Sequence, residues 1–122
     1  MTQIKAIRID SANRRFHEVE IEQNNIDDIN SNIGSSLFDI VRLDNGDVIF
    51  VDDEGILTAN VGDPFFATKR FRQALVGNGL VVGTNPKNGD SVDPLTTIEW
   101  LEDNVYFGTL VEADHKLVPV RD

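Results

Sequence analysis

Glycines stand on both sides of a β-branched core in the run Leu75-Val76-Gly77-Asn78-Gly79-Leu80-Val81-Val82-Gly83-Thr84. A short apolar run closed by glycine predicts a buried strand over residues 80–83. Gly77, Gly79 and Gly83 spell G-x-G-x-x-x-G, one residue longer than the G-x-G-x-x-G of dinucleotide sites. The context differs as well, because a dinucleotide fingerprint sits at a strand-to-helix turn and these glycines lead into a strand. No helix N-terminus is left to receive a pyrophosphate. The simplest enzymatic reading of the motif is thereby removed.

The flanking pattern builds an α+β domain. Residues 4–9 alternate as a strand, Ser11-Ala12-Asn13-Arg14-Arg15 reads as a turn, and residues 16–22 alternate again. In that second strand Val19 and Ile21 face inward, and Glu18, Glu20 and Glu22 face water. Asn24 or Asn25 can cap a short helix with Ile26, Ile29 and Ile33 as its apolar stripe and Gly34 at its end. Residues 38–43 and 48–51 flank Asp44-Asn45-Gly46-Asp47, where Asn-Gly predicts a type I′ hairpin because both residues tolerate positive φ. A second turn at Asp52-Asp53-Glu54-Gly55 leads to a further strand over 56–59 and completes a meander. Asp63-Pro64 opens a short helical or irregular segment over 64–75, and Asp93-Pro94 a helix with Leu95, Ile98 and Leu101 as its stripe. Residues 105–111 form a last strand interrupted by Gly108, and 112–122 a polar, loosely held tail. The expectation is one domain over 1–111, its antiparallel or mixed sheet of about five to seven strands packed with two or three short helices.

A chain of 122 residues is long enough for one core and too short for two. No apolar run approaches the ~20 residues that span a bilayer, so no membrane partner is expected. Met1-Thr2-Gln3-Ile4-Lys5 lacks the charged-then-apolar build of an export signal, which points to the cytoplasm. Zero cysteines remove disulfides, thiolate metal sites and thiol nucleophiles. With 21 acids against 11 bases the net charge is -10. Such a surface repels nucleic acid and anionic membranes within a Debye length of about 8–10 Å. The acidity either keeps the protein soluble or imitates a phosphate backbone in a host protein's DNA groove.

Catalytic and metal chemistry find no constellation. His17 and His115 are far apart, have no partner at ligand spacing, and both read as solvated. The acidic turns at 44–47 and 52–55 lack the spacing of a calcium loop. Without a cysteine, a G-x-S-x-G elbow or a well-placed histidine, no catalytic residue, metal or cofactor is assigned. The bases say more. Lys69, Arg70 and Arg72 place three of the 11 bases directly ahead of the glycine-bracketed strand, and Asn78, Gly79, Thr84 and Asn85 follow. Bare amides beside cations suit phosphate oxygens, which makes these seven the candidate ligand site. The competing reading makes the bases a solvated face and the glycines turns and bulges. Arg14-Arg15 could supplement the site. Phe65, Phe66 and Phe71 are core, or else a stacking platform or partner patch.

Four motifs carry a resemblance: Ile4-Lys5-Ala6-Ile7 with its following Glu-Val-Glu strand, Val41-Arg42-Leu43-Asp44-Asn45-Gly46, Val51-Asp52-Asp53-Glu54-Gly55, and Gly77 to Thr84. Over residues 4–103 the chain resembles an uncharacterised family of small domains borne mainly by bacteriophages, prophages and plasmids. That family is defined by likeness and not by activity, so the resemblance implies a mobile-element setting in a bacterial cytoplasm and transfers no catalytic residue. Two non-enzymatic roles are expected there. In the first, a homo-oligomer joined through an edge strand or the Phe65/Phe66 region captures a phosphorylated small molecule, such as a nucleotide defence signal. In the second, a DNA-mimic-like inhibitor docks on a host nucleic-acid-handling protein through Glu18, Glu20, Glu22, Asp52, Asp53 and Glu54. Direct nucleic-acid binding is not expected, and an accessory protein with neither role is the remaining reading. Carboxylates in two parallel rows favour mimicry; a basic concavity favours capture.

Overall fold

The computed structural model describes residues 2–70 and 72–122. Its N-terminal alternation forms a hairpin of β1 (Gln3–Asp10) and β2 (Arg15–Glu22), in register from Gln3 opposite Glu22 to Asp10 opposite Arg15. Helix α1 (Ile26–Ile33) starts at Asn25, whose side chain accepts from the Asp28 N–H at 3.0 Å. It ends at Gly34, where φ of 73° lets the chain leave in the left-handed region. Strands β3 (Phe38–Arg42) and β4 (Val48–Asp52) follow, then β5 (Pro64–Thr68), β6 (Leu75–Val76), β7 (Gly79–Thr84) and β8 (Ser91–Val92). Helix α2 (Ile98–Asn104), β9 (Val105–Ala113) and β10 (Lys116–Arg121) complete the order.

Every pairing is antiparallel, in two sheets. The larger runs β2-β1-β7-β4-β3 with β8 added on β7, and the smaller runs β10-β9-β5-β6. The glycine-bracketed strand is thus β7, at the centre of the larger sheet. Side chains alternate across its two faces. Leu80 and Val82 join Ile4, Ala6, Ile21, Val48 and Phe50 beneath Ile29 and Ile33 of α1. Val81 points the other way, with Ile7, Ile9, Ile49 and Val51, to meet Phe66, Leu101 and Val105. The architecture is therefore a helix, a sheet and a second sheet in layers, an α+β domain rich in strand. A third cluster, Phe65, Ala67 and Leu110 with Tyr106 and Leu117 against it, lies on the outer face of the smaller sheet.

Several local expectations are corrected. Among the described residues of the 64–75 segment none is helical. β5 occupies Pro64–Thr68, with Phe66 fully buried between the sheets and Phe65 buried on the opposite face. Phe71 lies outside the described residues. The 44–47 loop is not the two-residue type I′ turn. Gly46 has φ of 92° while Asn45 does not adopt positive φ, and Leu43 both donates to the Asp47 carbonyl and accepts from the Gly46 N–H. This is a three-residue loop with glycine in the left-handed position. Residues 56–59 form a turn and bend rather than a strand, with Thr58 N–H donating to the Glu54 carbonyl. Helix α2 begins after Thr97 and not at Asp93, for two reasons. The Asp93 carboxylate accepts from the Lys5 N–H at 2.8 Å, and buried Asp47 accepts from the Thr96 N–H at 2.7 Å and the Thr96 hydroxyl at 2.6 Å. Those bonds keep residues 93–97 out of the helix and leave Leu95 exposed.

The segment expected as a loose tail forms β10, paired along β9 from Lys116 opposite Ala113 to Arg121 opposite Gly108. Pro119 is tolerated because β10 is an edge strand. Nor does Gly108 interrupt β9. A Cβ there would lie 2.2 Å from the Val120 carbonyl oxygen and 2.5 Å from Cζ of Phe65, so only glycine admits both neighbours. Gly108→Ala is expected to cost about 1–3 kcal/mol through this overpacking, read as a lower urea midpoint. An unchanged midpoint would show that β10 is not seated against Gly108.

Candidate functional site

β5 delivers the basic cluster to the surface. At its end Lys69 N–H donates to the Asn104 carbonyl at 2.9 Å, and Arg72 N–H donates to the Thr68 carbonyl at 2.9 Å. Arg72 adopts a left-handed φ of 55°, so the chain turns tightly there and the cations fan apart. Arg70 lines a hollow of about 240 Å³ with Leu43, Asp44, Asn45, Thr68, Trp100 and Asn104, and it forms an ion pair with Asp44. Lys69 and Arg72 line a different hollow, of about 390 Å³, together with Tyr106 and Arg121.

The rest of the predicted ligand set lies elsewhere. Thr84 and Asn85 border a third hollow beside Asp47, Asp93 and Leu95. Asn85 also closes the 85–90 turn, its side chain accepting from the Lys87 N–H at 2.9 Å. The Asn78 side chain accepts from the Ser11 N–H at 3.2 Å, next to the Ser11 hydroxyl donating to the Gly77 carbonyl at 2.5 Å. Gly79 is buried, and a Cβ on it would lie 2.6 Å from Cζ of Phe66. Asn78 and Gly79 are therefore packing residues. No described hollow joins the basic cluster to Asn78, Gly79, Thr84 and Asn85 as the sequence suggested.

Two residues that sequence reasoning missed complete the cationic hollow. Tyr106 comes from β9, opposite Ala67 of β5, and Arg121 from β10, with its guanidinium carbon 4.5 Å from the Tyr106 ring centroid. That is cation–π contact distance. The alternation in Lys116-Leu117-Val118-Pro119-Val120-Arg121 was the available signal for a strand, but the proline and the charges masked it. The three cations and one aromatic share the hollow without a carboxylate among its lining residues.

The neighbouring acid is already engaged. Arg14 donates from Nε to Asp122 at 2.8 Å, and also to the Ser11 carbonyl at 2.6 Å and the Thr109 hydroxyl at 2.9 Å. Arg14 thus clasps the β1–β2 turn to the end of β10, and it does not supplement the predicted ligand set. The Arg14 hydrogen bond holds the Asp122 carboxyl below its ordinary value. The Asp10 carboxyl is lowered too, first by the Asn13 side chain and in part by His17, 3.5 Å away.

The acidic sets do not form parallel rows. Glu18, Glu20 and Glu22 lie on β2 at one edge of the larger sheet, whereas Asp52 ends β4 near the other and Asp53 and Glu54 follow it, with β1 and β7 between. Several carry local duties. Glu18 sits 3.8 Å from the Lys5 ammonium, Glu22 accepts from the Asn25 side chain, and Asp52 accepts from the Ser35 hydroxyl and the Glu54 N–H. Phe65 and Phe66 are enclosed within the protomer and offer no ring to a partner. Among the described residues no three His, Asp or Glu side chains cluster as a metal site requires. None of the described helices is long and apolar enough to cross a membrane.

Fold and site together define a small two-sheet α+β domain with a cationic surface hollow. The chain belongs to the DUF3846 family, a domain of unknown function, whose model matches residues 4–105. Lys69 and Arg72 fall inside the matched span, and Tyr106 and Arg121 lie beyond it. No curated protein and no solved structure matches the chain.

The Arg14–Asp122 clasp generates a pH expectation. A carboxyl whose folded value is depressed contributes stability above its ordinary value of 3.8 and loses it as the pH falls through the depressed value. Asp122→Asn is expected to flatten part of the acid limb of stability between about pH 5 and 2, leaving the Asp10 share in place. Urea midpoints across that range provide the measurement, and an equally steep limb in the variant would mean the clasp is not formed.

Proposed function

We propose that the protein is a non-catalytic accessory protein of a phage or other mobile element that interferes with its host by sequestering a phosphorylated small molecule, such as a nucleotide defence signal, in the bacterial cytoplasm. Lys69, Arg72 and Arg121 hold the phosphate oxygens, and Tyr106 backs them. The observation that carries this reading is the convergence of three cations, two that follow β5 and one from β10, on one carboxylate-free hollow of a protein with net charge -10. Guanidinium groups make charge-assisted, forked hydrogen bonds to phosphate, and Lys69 adds a point charge. In an anionic molecule such a local reversal of sign selects small anions over polyanions, since a long nucleic acid meets the surrounding acids.

A homo-oligomer fits the same surface. Arg121 lies on β10, which is the open edge of the smaller sheet and exposes Val118 and Val120. A second copy joined at that edge closes a hollow that is shallow in one protomer. The charge-mimic alternative draws less support, because its two acidic sets sit at opposite borders of one sheet.

Calorimetry against inorganic phosphate, mononucleotides and a panel of cyclic nucleotides tests the proposal. Saturable binding of at least one phosphorylated ligand is expected at or below about 10 µM, or about 7 kcal/mol of association free energy. Arg72→Glu and Arg121→Glu are each expected to remove about 1.5–3 kcal/mol of it, the worth of a hydrogen bond to a charged group. Absence of heat with every phosphorylated ligand, or full affinity in both variants, would sink the capture reading.

A further inference from the structure

The hollow around Trp100 is separate from the cationic one, and it points to another ligand chemistry. It is built between two stiff elements. On one side Thr97 caps α2 by accepting from the Trp100 N–H at 3.0 Å, and the Asn104 side chain donates back to the Trp100 carbonyl at 2.9 Å. On the other, Asn45 accepts from the Asp47 N–H at 3.0 Å and donates to the Thr96 hydroxyl at 3.0 Å, which ties the 44–46 loop to the chain just ahead of α2. The frame is therefore fixed before any ligand arrives. Trp100 nevertheless remains 41% exposed, although Leu101 beside it is fully buried. A large ring left at the wall of a hollow offers a stacking face, and aromatic anchors of this kind dominate recognition sites.

Size and polarity narrow the occupant. At about 240 Å³ the hollow is smaller than the about 300–1,000 Å³ of pockets that enclose whole drug-sized ligands, so one ring system fills it. Its polar wall presents the Arg70 guanidinium paired with the Asp44 carboxylate, a donor and an acceptor side by side. A phosphate would face the carboxylate of Asp44. A neutral ring whose edge carries an acceptor next to a donor meets both groups.

We propose that the hollow lined by Trp100, Arg70, Asp44 and Asn104 binds a neutral planar heteroaromatic ring of nucleobase size, stacked on Trp100 and read along its edge by Arg70 and Asp44. This goes beyond the phosphate hollow and does not depend on it, because a nucleoside carries no phosphate.

Trp100 is the single tryptophan, so its indole N–H gives one resonance that reports on this hollow. The full-length, isotope-labelled protein is titrated separately with adenosine, guanosine, cytidine and uridine, and with ribose 5-phosphate. A saturable shift of that resonance is expected with at least one nucleoside and none with ribose 5-phosphate. Asp44→Ala, a change at an exposed loop residue that keeps the reporter, is expected to weaken nucleoside binding roughly tenfold. Trp100→Ala, followed by ligand-observed NMR, is expected to weaken it roughly 5- to 100-fold through lost stacking. The proposal is overturned if no nucleoside shifts the indole resonance up to about 10 mM. It is overturned equally if ribose 5-phosphate shifts it as strongly, or if Asp44→Ala binds as tightly as the parent protein. Failure of the phosphate calorimetry leaves all these outcomes unaffected.

Discussion

Phe66 lying against the bare backbone of Gly79 is the contact on which the molecule depends. The ring fills the space that a side chain on the central strand of the larger sheet would occupy, and so couples the two sheets at their middle. Truncating a phenylalanine so placed costs about 3–5 kcal/mol, a large share of a small domain's stability. The same strand turns Phe65 into the outer cluster, so β5 feeds two cores at once. Its far end then sets where Lys69, Arg70 and Arg72 emerge. The cationic hollow and the Trp100 hollow are both consequences of how β5 is gripped.

What could be read from the residues follows from which signals are local. β1, β2, α1 and β7 were legible because alternation, an asparagine cap and glycine termination act within a few positions. β5 was not. Phe65-Phe66-Ala67 has no polar alternation because both faces of the strand are buried, and Asp63-Pro64 ahead of it imitates a helix start. The start of α2 was misplaced because Asp93, a plausible cap, is used by the Lys5 N–H of a distant strand. β10 was hidden by a proline that only an open edge tolerates.

The candidate site divides along the same line. Lys69 and Arg72 stood out as a cluster and do share a hollow, whereas Tyr106 and Arg121 join them only through strand pairing across the smaller sheet. Asn78 and Gly79 looked like ligand groups because a polar amide and an uncovered backbone serve anions and packing equally well. Arg14 has an indirect part. By engaging Asp122 it satisfies the carboxylate next to Arg121, and an anion at that hollow meets less opposing charge from the chain itself.

β7 also has a temporal consequence. Ile7 of β1 and Ile49 of β4 both pair with Val81, so the middle of the larger sheet is filled by a segment that leaves the ribosome after both of its neighbours. Until it arrives, two nascent hairpins each present an unsatisfied flank, and joining them requires closing contacts between segments far apart in the chain. A chain delayed at that stage offers two adhesive borders to other copies, a hazard of misassembly that arises during biosynthesis.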